Sequence, residues 1–467
     1  MKISRTSILL SLVVLTLIAV VMIQPFTVLG DDTVTDTITV GDGPYAIAIN
    51  PGQHRAYVAN YWDYRVSVLN TASDTLKAQI PVADPVQYPN PFPLSVAVNP
   101  NTNKVYVVNY FKGDLVVING NNNTVEASIP IGDFHRPPRA VVVDPTTNKV
   151  YVANYGWGEV DIIDGTPGSP DYNKIIAKVN VNTKGVFNPQ TRVIAVNPNL
   201  KRVYAANGSS NNMVVIDTDP NSPDYNKKIA DLNTGAGPRA ITINPDNGKV
   251  YVANIDGNSV TVANGLNNTV EATIGVGTNP RSIDINTITN KIYVANYGSN
   301  NVSIINGSTN MVSATVTAGS KPRAVAVVNR LAGNAYIANA DSTTPSTVTI
   351  IDPNDTVIAS LGVGINPIAI GIDLLFHNPK VYVANWVSND ITVIDPSPGN
   401  ESPLTTTVDA FPGNATPQTT PTFTGTAVNQ RTPINSNITN VVYQIDGEDG
   451  EWKNASITNR TGTHQEL

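Results

Sequence analysis

Five arginines recur at one position of a repeated segment. Arg139, Arg239, Arg281 and Arg323 each follow a proline that opens an apolar run, and Arg192 takes the same place after Thr191. In three further copies the matching residues are Tyr45, Leu94 and Ile368. A guanidinium binds a carboxylate or phosphate through two parallel N–H bonds, so five of them in an arc suit an anionic ligand. The same repetition also suits packing, each arginine bridging neighbouring units through loop carbonyls or by stacking on a tyrosine. Both readings stay open on the sequence alone.

Other reactive groups are sparse. His54 and His377 occupy equivalent turns, and no carboxylate or second ligand joins them at metal spacing. His135, within Phe134-His135-Arg136, is the one candidate general base and lacks an orienting partner in sequence. The chain has no cysteine, which removes thiolate nucleophiles, thiolate metal sites and covalent haem attachment. Calcium loops, a Gly-x-Ser-x-Gly elbow and a phosphate-binding glycine loop are absent. No catalytic residue, metal ligand or cofactor is assigned on this basis. A second cationic series (Arg55, Lys104, Lys149, Arg202, Lys249, Lys291 and Lys380) precedes the repeated tyrosines and reads as solvated strand starts.

The elements that must carry these residues are written in the repeat itself. Tyr-Val-Ala-Asn or a close variant occurs eight times, with tyrosines at 57, 106, 151, 204, 251, 293, 336 and 382. Each copy runs in the same order: a proline-led apolar segment such as Pro238–Asn244, an Asn/Asp-Pro-type turn, the Tyr-Val-Ala-Asn segment, a third segment such as Val302–Asn306, an Asn-Gly-type turn, and a Thr-rich segment such as Thr269–Gly275. These runs are short, rich in Val, Ile, Thr and Tyr, and bounded by turn formers, which is the signature of strands. Four antiparallel strands per forty-odd residues is one β-propeller blade. The fold class is therefore all-β, with eight blades, or seven if one copy is displaced; a flat β-solenoid is the remaining alternative. Thr33–Val40 reads as a lone outer strand that completes the eighth blade, whose other three strands come from the end of the repeat. In a propeller the arginine positions open the innermost strands and so ring one mouth of the central channel.

At its Tyr-Val-Ala-Asn copies the chain resembles the YVTN-repeat β-propellers, and specifically the surface-layer proteins of methanogenic and related archaea. The resemblance covers about residues 32–396. It implies an extracellular, non-enzymatic surface protein; the wider family also holds periplasmic, lactonase-like and haem-bearing relatives.

Residues 1–30 carry Lys2 and Arg5, then an apolar run over Ile8–Ile23 and the small-residue end Val28-Leu29-Gly30, the order of a secretory signal peptide. Membrane association is expected only if that segment stays uncleaved. The propeller spans 31–396. Residues 397–420 form a Pro/Thr-rich linker, and 421–467 read as a partial Ig-like module, too short for a full sandwich. The net charge of −7 argues against nucleic acid as a partner. Charged residues are only 14%, so the surface is built from Asn, Thr and Ser. Sequons stand at Asn122, Asn207, Asn267, Asn301, Asn306, Asn354, Asn400, Asn414, Asn437, Asn454 and Asn459, all candidate glycosylation acceptors. The function expected is a secreted, non-enzymatic surface-layer or cell-surface scaffold that meets other surface proteins, glycans or its own copies. A small-anion or glycan-binding propeller is the alternative, as is a lactonase-like, lyase-like or haem- or quinone-linked enzyme.

Overall fold

The structure is a computed structural model. It describes residues 32–396 apart from 85, 88–91, 134–136, 330–332, 342–345 and 375–378, with a few short strands beyond 396. The segment read as a signal peptide lies outside the described residues. So do most of residues 397–467, including Asn400, Asn414, Asn437 and Asn459; Asn454 is described only as backbone. In a second unit, Pro398–Leu467, Thr405–Val408 pairs with Gly425–Val428, the former falling within the segment read as linker.

Eight four-stranded antiparallel sheets make up the first unit. Blade 1 comprises Pro44–Asn50, Arg55–Asn60, Arg65–Asn70 and Thr75–Pro81, hydrogen-bonded in that order from the innermost strand outward. Blades 2 to 7 repeat this plan, opening at Pro93, Pro138, Thr191, Pro238, Pro280 and Pro322. Blade 8 takes Pro367–Asp373, Lys380–Asn385 and Asp390–Asp395 from the end of the ring and its outer strand, Thr33–Thr39, from the start. That strand pairs Thr33 with Asp395 and Thr39 with Asp390. The inner strands touch in sequence around the circle, and those of blades 8 and 1 meet, so the ring is closed and leaves no open sheet edge between blades. Both the eight-blade count and the closure read from the repeat hold.

The hydrophobic core is divided among the interfaces between blades. Between blades 1 and 2, Tyr57, Val66 and Val68 pack on Val96, Val105 and Val107. Between blades 8 and 1, Ile38, Tyr382 and Ile391 pack on Ala56, Val58 and Leu69. All eight repeated tyrosines are fully buried. Each phenol reaches toward the turn before the next blade's outer strand: a Cβ added at Gly120 would stand 2.7 Å from the Tyr57 Oη, and Tyr382 donates across the closure to Asp74 Oδ1 at 2.8 Å. The repeated asparagines are buried too and tie the second strand to the third, as Asn254 Nδ2 does to Thr261 Oγ1 at 3.0 Å. Many turns are set by asparagine in the left-handed region, with φ of 57° at Asn148, 53° at Asn290 and 55° at Asn310. Asn tolerates that conformation better than most residues, which accounts for the chain's appetite for it.

The second cationic series corrects the expectation of solvated strand starts. Lys149 pairs with Asp164 at 2.8 Å, Arg202 with Asp217 at 3.1 Å, Lys291 with Asp355 of the next blade at 2.7 Å, and Lys380 with Asp74 across the closure at 2.5 Å. These half-buried pairs lie beside the buried tyrosines, a setting that strand order alone does not reveal. Among the sequons, Asn207 is a correction. It is one of the repeated asparagines, fully buried, donating to Val181 O and accepting from Thr191 Oγ1 at 2.6 Å, so the folded ring does not present it to a modifying enzyme. Asn122, Asn267, Asn306 and Asn354 are exposed, whereas Asn301 is half-buried with its carbonyl oxygen accepting from Asn296.

Candidate functional site

In every blade the pairing of the inner strand slips by one residue immediately after its opening proline or threonine. The extra residue is Tyr45, Leu94, Arg139, Arg192, Arg239, Arg281, Arg323 or Ile368. A bulged residue leaves the strand's alternation and its side chain is re-aimed. Here all eight are aimed at the same place: they line one cavity of about 270 Å³ at the channel mouth, with Ser95 and Ser282 among the other wall residues. The structure thus brings together all five arginines singled out in the sequence, by a device that the sequence does not announce.

The charges in this cavity are unbalanced. Among the described residues none of the five arginines is ion-paired with a carboxylate. Arg281 lies over the Tyr297 ring at 4.0 Å and Arg139 over Tyr155 at 5.0 Å, so stacking does orient part of the arc. Arg192 donates to the Gln190 side-chain oxygen. Arg239 has neither ring nor carboxylate partner among the described residues; burial, then the charges of Arg139, Arg192 and Arg281, pushes its guanidinium down to about 10. Burial likewise lowers Arg323, partly offset by the nearby Tyr45 phenol. These groups remain protonated at neutral pH, so a chain of net charge −7 concentrates positive potential at one opening.

Two features of the site were not read from the sequence. The first is an aromatic wall on blades 8, 1 and 2, facing the arc across the mouth. Tyr45 contacts Tyr61 and Trp386 at centroid distances of 5.6 and 5.3 Å, Tyr61 stacks on Phe92 at 4.5 Å, and Trp62 meets Tyr61 edge-on at 4.9 Å. A partial signal existed: the residue after the repeated asparagine is aromatic at 61, 110, 155, 297 and 386. The second is Asp284, on the inner strand of blade 6, two residues beyond the cavity-lining Ser282 and on the same side of that strand. Between its ends no other inner strand carries a carboxylate. Asp284 accepts from the backbone N–H of Ile285 and, across to blade 7, of Val327, both at 2.9 Å. Burial raises its carboxyl to about 6 against these two stabilising bonds. Among the described residues no group of three His, Asp or Glu side chains is placed to hold a metal ion; His135 and His377 lie outside the described residues.

Solved structures that share the fold include the following three. The Kuenenia stuttgartiensis hydrazine synthase matches with a TM-score of 0.51 and 17% identity, over 72% of this chain and 99% of its own. The dihydro-heme d1 dehydrogenase NirN, in complex with DHE, matches at 0.53 and 15%, over 70% and 67%. Saccharomyces cerevisiae Sqt1 matches at 0.64 and 9%, over 79% and 100%. At such identities the likeness is one of fold. No curated protein matches the chain. A family model described as a lactonase, 7-bladed beta-propeller, matches residues 30–329. This match overturns the expectation of a non-enzymatic protein, which rested on the resemblance to surface-layer proteins and on finding no local catalytic constellation. A propeller assembles its site from single residues on separate blades, so no compact motif need exist for it to be catalytic. With a match through more than half of its residues, and with one blade beyond the family's seven, the chain belongs to the lactonase-type β-propeller family.

Proposed function

We propose that this propeller is a hydrolase of lactones or related cyclic esters that carry an acid group, working at the arginine-lined mouth. The observation that carries the reading is the arc of five guanidiniums around one cavity, none paired with a carboxylate among the described residues. Such an arc seats a carboxylate or phosphate on the substrate. It also stabilises the oxyanion that develops when water adds to the ester carbonyl, in a recess where charge interactions are stronger than in bulk water. Asp284, the inner strands' one mid-strand carboxylate, takes a proton from the attacking water. It returns that proton to the alkoxide released when the ring C–O bond breaks, leaving a hydroxy-acid product. Its raised carboxyl suits a group that must gain and lose a proton near neutrality. The reading of residues 1–30 as a secretory signal places the reaction outside the cytoplasm as part of this proposal.

The test is a pH-stat assay on lactones with and without a free carboxylate. Acid-bearing lactones should open far faster than their neutral analogues, and Arg239→Gln with Arg281→Gln should reduce that turnover at least ~100-fold, the scale of losing oxyanion donors. If no lactone opens faster than background, the hydrolase reading is wrong. If, in that case, citrate still stabilises the protein, the mouth is a binding site alone.

A further inference from the structure

The mouth has two chemically distinct halves. Blades 3 to 7 present the arginines. Blades 8, 1 and 2 present aromatic rings, and Trp62 among them is 57% exposed. Large exposed aromatics are uncommon on a folded surface without a partner, and clustered ones mark ligand sites. This cluster continues into the charged half. Tyr45 lines the cavity with the arginines while its ring contacts Tyr61 and Trp386. Tyr61 and Tyr110 both sit within reach of the Arg139 charge. Trp62 is held from behind: Gly43, with φ of +63°, leaves only enough room for the indole to lie against the backbone, since a Cβ there would stand 2.5 Å from the Trp62 ring. The ring is therefore braced on one side and open to solvent on the other.

A simple inorganic or acyclic anion uses the arginines and leaves this wall idle. A neutral ring compound uses the wall and leaves five half-buried charges that have no carboxylate counterion among the described residues. Resting on the anion-site reading above, we infer that the natural ligand joins both features: an acid whose carboxylate or phosphate is borne on a ring with a flat apolar face. The acid group seats among Arg239, Arg281 and Arg323, and the ring face lies on Trp62, Tyr61 and Tyr45. Two sources share this chemistry, an acidic sugar ring, which stacks its C–H face, and an aromatic acid, which stacks its π-face.

Isothermal titration and tryptophan fluorescence on the full chain at low ionic strength separate the possibilities, with citrate, trigalacturonate, naphthalene-1,8-dicarboxylate and the neutral maltotriose as probes. One of the ring acids should bind at least ~10-fold tighter than citrate and shift tryptophan emission, with maltotriose not binding. Trigalacturonate as the tighter probe identifies an acidic sugar, the naphthalene acid an aromatic one. In Trp62→Ala, whose exposed side chain can be removed without opening the core, the favoured ring acid should fall to citrate's affinity while citrate itself is unchanged. Equal binding of citrate and both ring acids overturns the inference and leaves the anion site standing. So does a ring-acid preference that survives Trp62→Ala. If no anion binds at all, both readings fall together.

Discussion

At the scale of single residues, the arginine arc sets function against stability. Arg239 is crowded by like charges and carries no ion pair among the described residues. Arg239→Gln should therefore raise the unfolding midpoint of the ligand-free protein while abolishing its stabilisation by citrate, which acts through mass action. Differential scanning calorimetry of both proteins with and without citrate checks this; a lowered midpoint would mean the guanidinium packs rather than binds. Asp284 makes a similar trade. Its carboxyl titrates near 6 in the fold and near the ordinary aspartate value when unfolded, so the fold disfavours the carboxylate. Stability falls as pH rises from about 4 to about 6 and stays level above. Asp284→Asn should remove that fall, giving a higher midpoint at pH 7 and no advantage below pH 4, and should also abolish turnover. Midpoints measured from pH 3.5 to 8 decide it. The arginines could be found in the sequence because they repeat. Asp284 could not, because it appears once at a position otherwise filled by Ala48, Ala97, Val142, Ala195, Thr242, Ala326 and Gly371. The aromatic wall was half-hidden for a related reason: Tyr61 and Trp386 sit at a repeated position, but Trp62, Phe92 and Phe111 lie in turns and loops that the repeat does not govern.

At the scale of elements, strands and turns were legible because each is short, β-branched and bracketed by Asn, Gly or Pro. The bulge that aims the mouth residues was not, since a slip in register depends on the partner strand. The outer strand of blade 8 buries Ile38, and Val40 just beyond it is buried as well. A chain beginning at Gly41 should lose at least ~3 kcal/mol from those two side chains alone, before counting the exposed edge. Urea denaturation monitored by far-UV circular dichroism would show the loss, and an unchanged midpoint would refute the closure's role. The tyrosine bridges differ from blade to blade. Tyr382 bonds Asp74 across the closure, while the Tyr204 phenol has no hydrogen-bond partner among the described residues. Tyr382→Phe should cost about 1–3 kcal/mol and Tyr204→Phe less than ~0.5 kcal/mol. Equal effects would mean that the tyrosines act only through their rings.

At the scale of the whole molecule, eight quasi-equivalent blades convert a sequence of modest charge into one opening of concentrated positive potential. Anion stabilisation should therefore weaken steeply with added sodium chloride, because the attraction is screened over about 10 Å at 0.1 M. Citrate-induced shifts that persist unchanged at 0.5 M salt would point to a different mode of binding. The circle itself was legible, since only a ring gives the lone strand at 33–39 a place. The count of eight, against the family's seven, follows from that strand and the eighth tyrosine together. Closure also has a mechanical consequence. The first residue of the ring, Thr33, lies opposite Asp395, one of the last. Tension applied at residues 32 and 396 thus loads the closing strand as a zipper, parting Thr33 from Asp395 and then each pair in turn, and never shears the whole ladder at once. A ring that resists heat as a unit should yield to pulling at its seam, in a small low-force step that precedes the rupture of the other blades. Optical-tweezer traces with handles at those two points should record it, and a single high-force rupture would contradict it.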